Sequence, residues 1–438
     1  MSLLGPIESA PHIAVGCSGG GDSMALTLLA NTWAKRHRGR LTALIVDHRL
    51  RPESGGEARQ IGRWLTERNI KYYILRRKKV PIIGGIQAKA RAVRYSLMTE
   101  WCKRNSVLHL ALAHQREDQA ETLLLRLARG SGLDGLAAMP VVSEYADVRL
   151  VRPLLDVPHD RLIATLARFK QPYIEDPSNL NSDFARVRMR NLSPRLSAEG
   201  MSTLRLAATA ARLGRARDAM ENAVAMVTAH CVSPRIEGYC LIRQKPLLAA
   251  QEEIGLRILA RTLACVSGAE YPPRMGQLER LYAWLKDGCT GSGRTLGGCR
   301  VSMWREHLLI CREAAATMDP VPLSRNLIWD RRFWLRTTLV PRQFASLSVR
   351  RLGPDGWRQI TQLKPQLKHC VIPQAVWPTL PSIWSGSLDV VVAVPHLKYV
   401  IEGEETVLDQ VREIVFVPVR RLCGPRFAFA SSAFRAIL

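Results

Sequence analysis

Across roughly the first 155 residues, short apolar runs alternate with longer stretches whose apolar residues recur every third or fourth position. HIAVGCS (12–18), LTALIVDH (41–48), KYYILRR (71–77) and VLHLALAH (107–114) read as buried strands, and VRLVRPLL (148–155) as a fifth. MALTLLANTWAKR, EARQIGRWLTERN, IQAKARAVRYSLMTEWCKR and EDQAETLLLRLARG carry helical spacing between them. A chain that follows each strand with a helix must cross back over its sheet. The pattern therefore predicts an α/β fold, with a parallel sheet covered by helices on both faces.

After about residue 205 the character changes. STLRLAATAARLGRARDAMENAVAMVTAH reads as one long helix and EEIGLRILARTLACV as another. GCTGSGRTLGGC (288–299) ends the helical pattern, and VSMWREHLLICRE follows as a hairpin. MDPVPLSRN reads as a linker into a Pro- and Trp-rich last part with β-like runs LDVVVAV and IVFVPV. With 438 residues, several domains are expected: 1–205, a mostly helical 206–318, and a small α+β domain over 319–438.

Charge narrows the partners. Sixty-three Lys+Arg against 38 Asp+Glu give +25 and a pI near 10.3, spread along the chain rather than gathered in a tail. Such a field draws a polyanion by steering and counterion release, so a nucleic acid is expected. The ten cysteines stand singly with no C-x-x-C, which suits reduced thiols in the cytoplasm. It also argues against a zinc ribbon or a cysteine-ligated iron–sulfur cluster. No apolar run has bilayer-spanning length, and MSLLGPIESAPH lacks the layout of a secretion signal.

SGGGDS (18–23) sits where the first strand ends and a helix begins. Glycines there let backbone N–H groups approach an oxyanion at the positive end of the helix, with Asp22 or Ser23 as its cap. The lysine of the common triphosphate loop is absent, so the loop suits a pyrophosphate better than a transferring γ-phosphoryl. Asp22 belongs among phosphates chiefly as a ligand of Mg2+.

S-G-G-x-D-S after a first strand resembles the PP-loop family of ATP pyrophosphatases. Further motifs resemble its tRNA(Ile)-lysidine synthase branch: VDHRLR (46–51), ARAVRY (90–95), AHQREDQAETLLLRLARGSGLDGLAAM (113–139) and EDPSNLNSDFARVRMR (175–190). RTLGGC (294–299) echoes the middle region. The resemblance implies a Rossmann-like domain with a parallel five-stranded sheet in the order 3-2-1-4-5. SGGGDS and HQREDQAET would then leave neighbouring strands at the switch in strand order, where α/β sheets bind ligands. It also implies ATP and Mg2+, and tRNA(Ile) with anticodon CAU and L-lysine as substrates, in a monomer or homodimer. Adenylation of the wobble cytidine would precede displacement of AMP by lysine, and the last two domains would grip the tRNA.

On this resemblance Ser18, Gly19, Gly20, Gly21, Asp22, Ser23 and Val46 bind the nucleotide, with Asp22 the metal ligand. Asp118 and Glu121, three apart, share a helix face and can hold magnesium or receive an ammonium group. Glu117 stands where the family pattern usually has an Asp, which shifts the catalytic assignment to Asp118 and Glu121. His114 would orient one of them. Arg91 and Arg94 present two guanidinium forks for phosphates, Arg91 at the chemistry and Arg94 toward RNA. Arg129, Arg186, Arg188 and Arg190 complete the substrate set, the last three alternating after Asp176 and Asn179 in a loop or short strand.

Other readings stay open. A tRNA thiolase would need a sulfur-carrying cysteine or a cluster. A glutamine-fed amide synthetase would need an amidotransferase. A basic RNA-binding protein could carry an inactive nucleotide site. WDRRFWLR (329–336) and VRRLGPDGW (349–357) interleave Arg with aromatics, as surfaces that stack on RNA do, although such residues also build cores.

Overall fold

A computed structural model of the chain describes residues 4–49, 53–77, 86–145, 147–175, 181–289, 291–338, 346–386, 388–404, 407, 411, 413–424 and 427–429. They fall into two compact units. One runs to Ala219 and includes residues 427–429; the other spans Met220–Gly424.

In the first unit, β1 (His12–Gly16), β2 (Arg40–Asp47), β3 (Lys71–Arg76), β4 (His109–Ala111), β5 (Val142–Tyr145) and β6 (Val148–Val151) form one sheet. Its order is β3-β2-β1-β4-β6-β5, parallel throughout except for the β5–β6 hairpin. The five expected strands occur in the expected order, with β6 as the fifth. A sixth, antiparallel strand is added at the edge. Its sequence VSEY is half polar and nowhere fully buried, so it lacks an apolar run, and a hairpin needs no helical crossover to announce it.

Helices cover both faces: α1 (Gly21–Arg36), α2 (Ser54–Glu67), α3 (Ile86–Arg104), α4 (Arg116–Leu127), α5 (Leu133–Leu136), α6 (His159–Arg168) and α7 (Ala185–Ala198). Ile13 and Val15 of β1 join a core with Met24, Ile61, Leu65 and Leu162. Ala14, between them, faces the opposite core with Met98, Cys102 and Leu110. Strand side chains alternate in direction, so a strand covered on both sides reads as an unbroken apolar run.

The long helix is realised as α8 (Thr203–Cys231). In the second unit α9 (Gln244–Ala249), α10 (Glu252–Ser267) and α11 (Met275–Lys286) accompany a sheet of β7 (Val232–Pro234), β8 (Cys240–Arg243), β9 (Arg294–Leu296), β10 (Cys299–Trp304) and β11 (His307–Arg312). The β10–β11 hairpin was expected; β7 and β8, three and four residues long, were not. Two further sheets follow, one of β12 (Val321–Pro322), β15 (Leu347–Arg351), β16 (Pro381–Ser385), β17 (Val390–Val394) and β18 (Tyr399–Val400), the other of β13 (Asn326–Trp329), β14 (Phe333–Arg336) and β19 (Glu413–Phe416). Part of the stretch read as a linker is thus β12, paired with β15 (Leu347–Arg351). Tyr239, Leu241 and Leu309 share a cluster with Leu352, Ile360 and Trp384.

WDRRFWLR buries two of its three aromatics and leaves Trp334 half-buried. It forms β13 (Asn326–Trp329), a turn and β14 (Phe333–Arg336), with Trp329 and Phe333 fully buried. Asp330 accepts from Arg312 at 3.0 Å and from Arg332 at 2.7 Å, and Arg332 also reaches the Gly238 carbonyl at 3.2 Å. Two arginines around one buried aspartate build a core here: Asp330 and Arg332 are both buried at the turn between the strands, where each charge is paired.

Residues 427–429 return to the first unit. Val141 N–H donates to the Ala428 carbonyl at 2.7 Å, and Phe427 is buried beneath the Arg217 guanidinium, 4.1 Å from the ring centroid. Gly214 of α8 admits this segment, since a Cβ there would lie 2.8 Å from Phe429.

Candidate active site

β1 and β4 are parallel neighbours, so the loops leaving their C-terminal ends emerge side by side. The first loop runs Cys17–Gly20 into α1. Gly19 has φ +88, and a Cβ on it would lie 2.5 Å from Ile61 Cδ1, so the position requires glycine. Its carbonyl accepts from Ile174 N–H at 2.9 Å. The expected cap is not formed: neither Asp22 nor Ser23 caps α1, and Gly20 at the N-cap has no side chain. Ser23 Oγ instead accepts from Ser18 N–H at 3.1 Å and lies 3.2 Å from Ser18 Oγ, closing the loop on itself. The first amides of α1 therefore lack both intrahelical and side-chain acceptors, which leaves them for an anion.

The second loop ends in a capping box. Gln115 Oε1 accepts from Glu117 N–H at 2.6 Å, and Asp118 Oδ2 accepts from Gln115 N–H at 3.0 Å. Asp118 and Glu121 then point from one face of α4 toward α7. Asp118 Oδ1 takes Arg186 Nη1 at 3.3 Å, and Glu121 Oε1 takes Arg190 Nε at 2.9 Å. Burial pushes both carboxyls up from their ordinary range; Arg186 and Arg190 pull the other way. Asp22 contributes to raising Asp118, so the carboxylate of the phosphate loop lies close enough to be felt there. Glu121 Oε2 is buried with no hydrogen-bond partner among the described residues, an arrangement that costs stability unless a donor arrives.

The alternating arginines lie on a helix, not on a loop or strand. On α7, Arg186 and Arg190 are one turn apart and share the face toward α4. Arg188 turns away and donates to the carbonyls of Ser182 and Asp183. Asp176 and Asn179 lie outside the described residues.

His114 makes no hydrogen bond to Asp118 or Glu121; Gln115 and Arg186 hold Asp118 instead. Its Nδ1 is buried and unpartnered among the described residues. Burial holds it well below its ordinary value, helped by Arg152, Arg91, Arg186 and Arg94, so it stays neutral amid four guanidinium groups. Arg91 Nη2 donates to Tyr95 OH at 3.0 Å. Arg94 is half-buried near Arg91 and Arg186 and also presses on His48, just past the end of β2 where Val46 lies. Arg186 is paired with Asp118, but Arg91, Arg94 and Arg152 have no carboxylate partner among the described residues, and such cations around a neutral imidazole suit an anion. Arg129 lies elsewhere, exposed past the end of α4 and close to Arg126.

Among the described residues no three His, Cys, Asp or Glu side chains cluster as metal ligands. Mg2+ needs fewer, since it takes one or two carboxylates and completes its shell with substrate phosphates and water. Asp22, with Asp118 close by, fits that requirement. Sulfur transfer fits less well: Cys17 is buried with its thiol pushed up, and burial raises Cys102 to about 12.

His159, Gln115 and Arg152 escaped the sequence reading. His159 Nδ1 lies 2.8 Å from Asp22 Oδ1 across 137 residues of chain, a separation at which no local pattern carries a signal.

Residues 2–196 match the PP-loop domain family, so a doubly wound sheet, an uncapped glycine loop and a carboxylate pair mark a PP-loop protein. Similar proteins extend the match well past that domain. The tRNA(Ile)-lysidine synthase of Wolbachia pipientis wMel is 34% identical over 412 residues, 92% of each chain. That of Rhodopseudomonas palustris is 40% identical over 326 residues, 70% of this chain and 92% of its own. That of the Wolbachia of Brugia malayi is 35% identical over 342 residues, 77% of this chain and 79% of its own. The chain belongs to the tRNA(Ile)-lysidine synthase family.

Proposed function

We propose that this protein ligates L-lysine to C2 of the wobble cytidine of tRNA(Ile) with anticodon CAU, switching its decoding from AUG to AUA. The cytidine O2 attacks the α-phosphorus of ATP, the α–β bond breaks, and pyrophosphate leaves. The lysine amine then adds to C2 and AMP departs with the former O2. Adenylation is needed because the carbonyl oxygen is a poor leaving group.

The single observation that carries the reading is Glu121 Oε2, a buried carboxylate oxygen awaiting a donor, beside an Asp118 that senses the phosphate loop. A lysine ammonium supplies that donor. The attacking amine must be neutral, and a carboxyl raised by burial is the better base for taking its proton, so Asp118 or Glu121 is assigned that role. Ser18, Gly19, Gly20, Gly21 and Ser23 are assigned to the pyrophosphate, with Val46 flanking the nucleotide. Asp22 would hold Mg2+, which neutralises phosphate charge. Arg91 and neutral His114 would stabilise charge at the transferring phosphoryl group. Arg94 and Arg129 are assigned to the tRNA, Arg186 and Arg190 to holding the substrate-facing carboxylates Asp118 and Glu121, and Arg188 to the start of α7 through the Ser182 and Asp183 carbonyls; 206–318 and 319–438 are assigned as further tRNA-holding parts, and the reaction to the cytoplasm.

The test is AMP and pyrophosphate release that depends on both tRNA and lysine, with mass spectrometry identifying lysidine in the product. Asp118→Asn should abolish lysidine formation while leaving tRNA affinity nearly intact. A fully active Asp118→Asn protein would remove that assignment.

A further inference from the structure

His159 is the first residue of α6, a helix whose N-cap is Pro158 and which has no side-chain cap of its own. Three hydrogen bonds tie this point to the start of α4. Glu117 Oε2 accepts from His159 N–H at 3.0 Å, Arg116 N–H donates to the Val157 carbonyl at 3.1 Å, and Arg116 Nη2 donates to the Asp156 carbonyl at 2.6 Å. Glu117 thus supplies from another helix the side-chain cap that the α6 terminus lacks. From this anchored backbone the imidazole reaches Asp22 Oδ1 at 2.8 Å. Asp22 is about a quarter exposed and His159 about half, so neither is locked by packing. The orientation of the carboxylate depends on this contact.

We propose that His159 is a positioning residue for Asp22. It holds Oδ1 so that the other carboxylate oxygen faces the phosphates of magnesium-bound ATP, and Glu117 holds His159. This rests on the ATP reading above and extends it to two residues outside the assigned site. It also accounts for Glu117: an Asp there ends about 1.5 Å short and loses the His159 N–H. A hydrogen bond that orients a metal-ligating carboxylate typically governs affinity by about 10–100-fold.

The experiment is calorimetric binding of ATP to the full-length protein, without tRNA or lysine, in excess Mg2+ and again in EDTA. His159→Ala should weaken binding about tenfold or more in Mg2+. In EDTA it should change binding less than about threefold, because the lost orientation then has no cation to serve. His159→Asn, which keeps a polar atom near the Nδ1 position, should restore most of the affinity. Glu117→Asp should weaken Mg2+-dependent binding, and its effect should not add to that of His159→Ala. Unchanged binding by His159→Ala in Mg2+, or an equal loss with and without Mg2+, overturns the proposal. So does a His159→Asn protein as weak as His159→Ala. Lysidine formation by the unsubstituted protein is measured in parallel. Its absence would sink the functional reading, whereas its presence beside an indifferent His159→Ala would sink only this inference.

Discussion

Glu121 keeps a charge in a place that disfavours it. Burial raises its carboxyl, so the ionised form is penalised at neutral pH, and the contribution to stability has the sign of a raised acid. That contribution is intact below the ordinary carboxylate range and is lost as pH rises through the folded value. Glu121→Gln should therefore melt above the parent at pH 7, with the gap closing as the pH approaches 4, while lysine-dependent turnover collapses. Thermal melts across pH, with an AMP-release assay, check both halves. Because Asp118 is raised by the same cause, kcat should fall on acidification at a pH above the ordinary carboxylate range. Gly19 is constrained by backbone instead: at φ +88, Gly19→Ala should cost about 1–3 kcal/mol and weaken ATP binding, read from denaturant midpoints and calorimetry.

At the level of elements, α7 shows how periodicity decides function. R-V-R-M-R looks alternate in sequence, and alternation suits a strand. On a helix the same spacing sends Arg186 and Arg190 to one side and Arg188 to another. Arg186→Ala and Arg190→Ala should each lower kcat/KM at least about tenfold by releasing their carboxylates, while Arg188→Ala stays within about twofold. Equal losses at all three would return them to a common RNA-facing role. The β13–β14 hairpin teaches the converse. Its basic-aromatic composition suggested RNA, yet Asp330 with Arg312 and Arg332 is a buried ionic cluster. Asp330→Ala should destabilise the second unit by about 3–5 kcal/mol, since it strands two buried cations. Loss of tRNA affinity without loss of stability would contradict this.

For the whole molecule, the return of residues 427–429 to the first unit means that this late segment supports the catalytic part. Phe427→Ala should lower the stability of that unit by about 3 kcal/mol, visible as an earlier unfolding transition. The charge of +25 belongs to this scale too: tRNA affinity should fall linearly in log–log plots against salt, while affinity for lysine should hardly move.

The alternation of apolar runs was enough to determine the parallel sheet, because strands buried on both faces leave an unbroken signal in the chain, whereas its strand order followed only from the family resemblance of the motifs. SGGGDS and E-D-x-x-E-T were legible for a related reason: each is a local backbone motif whose parts lie within a helical turn or two. Nothing local announced β5, whose side chains are half exposed, or β7 and β8, too short to show a period. The contacts of Asp118 with Arg186, of Glu121 with Arg190 and of Asp22 with His159 span 68, 69 and 137 residues. Only the folded chain chooses such partners, because burial and distance, not sequence spacing, set which charges meet and which oxygen is left without a donor.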